Sequence, residues 1–386
     1  LLVALDVHPR VAMQILRHSQ IAATTNIYSE VSSEETRKAL KRLGGTSVSS
    51  LGGQPVRPGE IRSTGKPQCT VMVQPPPHGA DRSQEVLLAT VRTADTRPTI
   101  NASLVRRLVD TQFPQWAALP LELLDPAGSD HVIYRLGEQL SVRLPRHDGA
   151  IGQAEKELEW LPRLAPRLPL AIPVPVGVGE PDFGYPWRWA VSRWLEGEVA
   201  TVEALADSSA AAVQLAEFLA ALQQFKSEDV QTMKAREDLA DQPLAGRDRA
   251  TRAAIAKVGD VFDTTAMTEL WNAVLSAPGW DRPPVWFHGD FHTGNLLTVG
   301  GRLSAVIDFG GLGIGDPACD LIIAYTLMSA DSRAAFRAAL DVDDATWTRG
   351  RGWALATGLN AYTTYAAVNP RVAAQTTRQI TEALIG

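Results

Sequence analysis

The sequence predicts an α+β chain of two lobes, a small antiparallel sheet followed by a larger, mainly helical part. Three observations carry that expectation. Between Leu119 and Trp194 short alternating apolar runs are separated by turn residues. From Val202 onward apolar residues recur at helical spacing. A strand, a loop and a hairpin between Val285 and Leu321 interrupt those helices. At 386 residues, 45% hydrophobic and 21% charged, the chain is ordinary for a globular protein and long enough for two or three domains.

Composition also limits the function classes. Residues 1–98 hold 12 Lys and Arg against 8 Asp and Glu, which leaves the remainder at −10 within a net charge of −6. An acidic body argues against nucleic-acid binding and suits a cationic acceptor. Apolar runs such as Leu168 to Val178 are broken by Pro169, Pro173 and Pro175, so no membrane span is expected. With two cysteines, Cys69 and Cys319, and no signal-peptide pattern, the expectation is a reducing cytoplasm with neither a disulfide framework nor a zinc site. Nothing in the sequence sets an oligomeric state.

Residues 1–45 read as a helical fragment, with Val11, Ile15 and Leu16 at helical spacing and a second charged helix, Ser33 to Leu43, closed by Gly44. Here His18-Ser19-Gln20 and Thr24-Thr25-Asn26-Ile27-Tyr28 resemble the carboxyl-terminal end of tyrosine recombinases of the phage-integrase type. In that family Tyr28 would attack a DNA phosphate with His18 assisting. The family's arginines would have to precede Leu1, and a lone tyrosine without cations cannot stabilise the developing charge. The expectation is therefore a fused or misjoined remnant that neither binds nor cleaves DNA. Residues 46–98, rich in Gly, Ser and Pro, read as a disordered linker.

From residue 99 the pattern turns globular. Asn101 is placed to cap a helix carrying Leu104, Val105, Leu108 and Val109. Strands follow at Leu119–Leu124, His131–Leu136 and Gln139–Leu144, and the turn Pro126 to Asp130 between the first two has backbone N–H groups and the Ser129 hydroxyl to offer to phosphates. A helix over Gln153–Leu164 and strands at Pro173–Val178 and Trp189–Trp194 complete the first lobe, residues 99–197. The second lobe, residues 198–386, opens with one long helix over Val202–Phe225. Helices are then expected at Arg249–Val258, Met267–Leu275, Pro317–Leu327, Ser332–Leu340, Ala345–Tyr365 and Val372–Leu384. Trp347, Trp353, Tyr362 and Tyr365 are candidates for an acceptor pocket, with core packing the stronger expectation.

The stretch Val285 to Leu321 carries the chemistry. A short buried strand, Val285-Trp286-Phe287, leads into a loop that bears Asp290 and, five positions on, Asn295. Two strands, Leu296–Val299 and Leu303–Phe309, joined at Gly300-Gly301-Arg302, then return Asp308 to that loop. Phosphoryl transfer needs positioning and charge neutralisation more than covalent help, and magnesium takes oxygen ligands. Asp290 is thus the candidate base, Asn295 and Asp308 the candidate magnesium ligands, and Gly310 and Gly311 the turn beside the metal. His288 and His292 read as braces for the loop.

His288-Gly289-Asp290 with Asn295, then Asp308-Phe309-Gly310, resemble the aminoglycoside phosphotransferase family, as does Gly315-Asp316-Pro317 with Asp320-Leu321. The resemblance covers Thr99 to Gly386. It implies a protein-kinase-like fold, ATP or GTP with Mg2+ as cofactors, and a small-molecule hydroxyl as acceptor. Asp316 and Asp320 would be structural. Arg143 stands where the family and the kinases place a phosphate-holding lysine; its guanidinium fork suits the task with different geometry. Its implied partner is Glu157, with Glu155 second. Arg193 to Leu195, before the joint at Gly197, would hold the base. Aminoglycosides lead as acceptors. Macrolides follow, since Val142-Arg143-Leu144-Pro145-Arg146 also resembles the corresponding strand of macrolide phosphotransferases, and small alcohols or sugars stay open. A catalytically silent kinase-like binding module and the recombinase are the alternatives of other classes.

Overall fold

The computed structural model describes residues 98–124, 130–225 and 243–386. The recombinase-like fragment with His18 and Tyr28, the linker up to residue 97, and Ser129 with most of its turn lie outside the described residues.

The small lobe starts with α1 (Ala102–Gln112), capped by the Asn101 side chain, which accepts from the Leu104 N–H at 2.9 Å. Five strands follow: β1 (Leu121–Leu123), β2 (His131–Leu136), β3 (Leu140–Pro145), β4 (Pro175–Gly179) and β5 (Trp189–Arg193). They form one antiparallel sheet in the order β1-β2-β3-β5-β4. Strand alternation sorts its two faces. Val132, Tyr134, Leu136, Val142, Leu144 and Val191 pack with Val105, Leu108 and Val109 of α1 in one core. The opposite face carries Ile133 paired with Arg143, and against it lies α2 (Asp148–Leu164). That helix begins five residues before the expected Gln153, because Gly149 and Gly152 dilute the helical signal of its first turns.

Past Gly197 the chain enters a second sheet, where β6 (Glu198–Val199) pairs with β8 (Leu296–Val299) and β8 with β9 (Arg302–Val306). The long helix expected over Val202–Phe225 is instead two, α3 (Val202–Leu205) and α4 (Ser209–Gln223). The Ala206 carbonyl accepts from the Ser329 N–H and the Ser332 hydroxyl, while the Ser208 hydroxyl caps the Ala211 N–H at 3.1 Å. A backbone N–H and a hydroxyl from more than 120 residues on in the sequence thus take the carbonyl at which the helix breaks. Next come α5 (Asp248–Lys257), α6 (Thr264–Ser276) and β7 (Val285–Phe287), which pairs with β10 (Gly313–Gly315). The expected helix Pro317–Leu327 is a 3-10 turn, Pro317–Ile322, followed by α7 (Ile323–Thr326). The chain closes with α8 (Ala330–Leu340), α9 (Asp344–Tyr365) and α10 (Pro370–Ile385). The main core of this lobe joins α4, β7, β9 and α7 through Leu215, Phe218, Trp286, Phe291, Val306 and Tyr325.

Trp347 is buried against Tyr325, with ring centroids 5.8 Å apart, and Tyr362 meets Phe262 at 5.1 Å. Trp353 lies under the Arg247 guanidinium. No helix among the described residues is long and apolar enough to cross a membrane.

Candidate active site

β7 delivers the chain into a loop whose backbone is held from below by one carboxylate. Asp320, fully buried, accepts from the His288 N–H at 2.7 Å and the Gly289 N–H at 2.8 Å. Burial drives its pKa up to about 7 against those two hydrogen bonds, which pull it down. The His288 ring spans the loop: Nε2 donates to the Ile307 carbonyl at 3.1 Å, and Nδ1 accepts from the Asp290 N–H at 3.2 Å. Burial lowers the His288 pKa to about 4, so the ring is neutral, in agreement with one donating and one accepting nitrogen. It packs against Phe309 with centroids 4.5 Å apart.

Asp290 is held on both sides. The Asn295 amide donates to the Asp290 carbonyl at 2.9 Å and to its Oδ2 at 3.0 Å. His292 accepts from the Gly294 N–H at 3.0 Å through Nδ1, which points Nε2 toward Asp290 Oδ1 at 3.5 Å. That distance is long for a hydrogen bond and acts as a charge contact. Burial works against a charged His292, but Asp290 and, further off, Asp308 outweigh it and raise its pKa.

The β9 strand ends at Val306 rather than at the expected Phe309. Ile307 donates its N–H to the Asn295 carbonyl at 2.9 Å, and Asp308 takes the left-handed conformation with φ +65°. Such a turn ends strand pairing and directs the Asp308 carboxylate, which accepts from the Gly310 N–H, back toward the loop. Burial and the nearby Asp290 charge raise the Asp308 pKa, with Arg143 opposing. Asn295 is fully buried, and its Oδ1 has no hydrogen-bond partner. An unpartnered buried amide oxygen beside a crowded carboxylate pair is a donor set that fits a hard dication. No group of three or more His, Cys, Asp or Glu positioned for a metal occurs among the described residues.

From the small lobe, Arg143 Nη1 meets Glu157 Oε2 at 2.7 Å, and both side chains are largely buried. Burial raises the Glu157 pKa while Arg143 lowers it. Glu155 is exposed. Arg193, at the end of β5, is exposed with its N–H on the Val174 carbonyl at 3.3 Å. Leu195 lies two residues past β5, half-buried and outside any strand.

Two residues that the sequence reading passed over tie these parts together. Lys156, beside Glu157, reaches the carbonyls after Asp308. Arg349 of α9 is buried and grips both oxygens of Asp316, Nε to Oδ2 at 2.7 Å and Nη2 to Oδ1 at 3.1 Å, while Asp316 caps the Ala318 N–H at 3.0 Å. The signal for Arg349 was a charge within a helix of small and apolar residues, where Gly350 lets the helix close on Leu321.

Residues 123–353 match the model of the phosphotransferase enzyme family. The chain resembles the solved structure of APH(2″)-IIia in its GDP and kanamycin complex, with a TM-score of 0.57 at 20% identity over 72% of this chain and 98% of that one. It resembles wild-type aminoglycoside 2′-phosphotransferase-IIIa in its GDP complex at 0.57 and 20%, over 74% and 99%. Macrolide 2′-phosphotransferase MphH from Brachybacterium faecium, as apoenzyme, aligns at 0.50 and 22%, over 73% and 97%. A search of curated proteins finds no match.

Proposed function

This chain belongs to the phosphotransferase enzyme family, and from that premise we propose that it moves the γ-phosphoryl group of ATP or GTP to a hydroxyl of a small molecule, an aminoglycoside first. The observation that carries the reading is the state of Asp290, a carboxylate held by the Asn295 amide within a site that leaves Asn295 Oδ1 unpartnered. In this reading Asp290 orients the acceptor hydroxyl and takes its proton. The Asn295 and His292 contacts keep the Asp290 carboxylate from turning away, and Arg143, braced by Glu157, steadies the phosphates. In the same reading Arg193 to Leu195, before the joint at Gly197, hold the base. Asn295 Oδ1 and Asp308 fit Mg2+, which when bound neutralises phosphate charge. The acidic balance of residues 99–386 suits a polycationic acceptor, and an acidic acceptor pocket would favour aminoglycosides where a broad apolar one would favour macrolides. A solved relative carrying kanamycin and another named for macrolides keep both acceptor classes in the test.

The test is nucleotide turnover by the full chain with Mg2+, run with ATP and then GTP, against aminoglycosides, macrolides and simple alcohols. Stimulation by an aminoglycoside, lost by orders of magnitude in Asp290→Asn with nucleotide affinity retained, is the expected result. Native turnover in Asp290→Asn would remove the base assignment, and stimulation by macrolides alone would move the acceptor to that class.

A further inference from the structure

Lys156 stands next to Glu157 on α2 yet serves the other half of the site. It is 7% exposed, and its ammonium donates to the Gly310 carbonyl at 3.1 Å and the Leu312 carbonyl at 2.9 Å. Those two carbonyls lie within and just after the turn Phe309–Gly311 that follows Asp308. A lysine on a helix surface ordinarily extends into water, and burying its charge costs several kcal/mol unless acceptors compensate. The side chain is therefore committed to this turn. Gln153, one turn earlier on the same helix face, also reaches it, since a Cβ added at Gly310 would lie 2.8 Å from Gln153 Oε1. One face of α2 thus touches Arg143 through Glu157 and the Asp308 turn through Lys156.

We propose that Lys156 is a positioning residue that fixes the Asp308 turn in its metal-binding arrangement, so that α2 must be seated before Arg143 and Asp308 can act together. The proposal rests on the phosphotransferase reading of this site. Without the ammonium, the Gly310 and Leu312 carbonyls lose a shared donor and the turn is free to move. The Arg143–Glu157 pair does not depend on Lys156 for its own contact, so phosphate holding survives.

The experiment compares the full chain with Lys156→Met, which keeps the stem and removes the donors, and with Lys156→Arg, which restores donors. Three quantities are read: Mn2+ affinity in the presence of nucleotide, nucleotide affinity without metal, and amide hydrogen exchange of residues 308–312 in metal-free protein. Loss of a group that orients a metal ligand typically weakens the ion by about 10–100-fold. Lys156→Met should show that loss together with faster exchange at 308–312, unchanged exchange in α10, metal-free nucleotide affinity within about twofold of native, and partial rescue in Lys156→Arg. If Lys156→Met fails to fold, Lys156→Gln, which keeps a neutral donor, takes its place; it should weaken Mn2+ and speed exchange at 308–312 in the same direction but less than removal of every donor would, and native values of both in that variant overturn the role. Native Mn2+ affinity and native exchange in the variant overturn the role of Lys156 alone. A native chain that binds neither ion nor nucleotide overturns the phosphotransferase reading, and the exchange measurement then still decides whether Lys156 holds the turn.

Discussion

Gly289 precedes the candidate base, and its conformation and surroundings together leave no room for a side chain. Its φ is +81°, and a Cβ built there would lie 2.1 Å from the Gly311 carbonyl oxygen and 2.7 Å from the Gly311 carbonyl carbon. The obstacle is backbone and cannot rotate aside. Gly289→Ala therefore pushes the Asp290 loop and the Asp308 turn apart by roughly 1 Å, at an overpacking cost of about 1–3 kcal/mol. The left-handed backbone adds about 1–2 kcal/mol for any residue with a Cβ. Together these lower Tm by roughly 3–8 °C for a domain of this size. A displacement of that order between catalytic groups costs about 100-fold in turnover.

The assay is kcat at saturating nucleotide, metal and acceptor, with Tm measured in parallel. Gly300→Ala separates the two causes, because Gly300 also has positive φ, +56°, but nothing within 4 Å of an added Cβ. That variant should lose about 1 kcal/mol and keep native turnover. Native kcat in Gly289→Ala, or equal loss of kcat in both variants, would refute the reasoning that the contact between the two loops sets the geometry.

Further outcomes follow from the buried charges. Glu157→Ala leaves Arg143 without its 2.7 Å partner and should cost about 3–5 kcal/mol, and a double-mutant cycle with Arg143→Met should show coupling above about 1 kcal/mol; additive losses would mean that the pair does not act as a unit. Asp320 has a folded pKa of about 7 against an ordinary carboxylate value near 4, so its stabilising contribution is complete below pH ~4 and is lost as pH rises through 7. The Tm of Asp320→Asn should accordingly gain on that of the native chain between those values, and parallel curves would show that the buried carboxylate does not titrate there. Arg349→Met abandons both Asp316 oxygens and the Pro278 carbonyl, and a Tm within about 2 °C of native would show that α9 holds the Asp316 segment without it.

What was legible in the sequence and what was not divide along a physical line. That Asp290, Asn295 and Asp308 come together in space was legible because they lie on one loop and one hairpin, and a hairpin is a local object that a turn such as Gly300-Gly301 reveals. The strands of the small sheet were found to within a residue or two at most ends, because alternation is also local. The misplaced elements were those decided from far away. Helix α4 starts at Ser209 because Ser329 and Ser332, more than 120 residues on, take the Ala206 carbonyl. Strand β9 stops at Val306 because Asn295 claims the next N–H and Asp308 turns left-handed. The same line runs through the site itself. Asp290, Asp308 and Asp316 sit on irregular backbone, and a buried side chain from another element bonds each piece of it: Asp320 the Asp290 loop, Lys156 the Asp308 turn, and Arg349 the segment at Asp316. In sequence Lys156 is one of several charges on an amphipathic helix, and only its distance to two carbonyls separates it from Glu155, one position away and exposed. The groups proposed to act here are therefore readable by their type, whereas the groups that hold them are readable only by their burial.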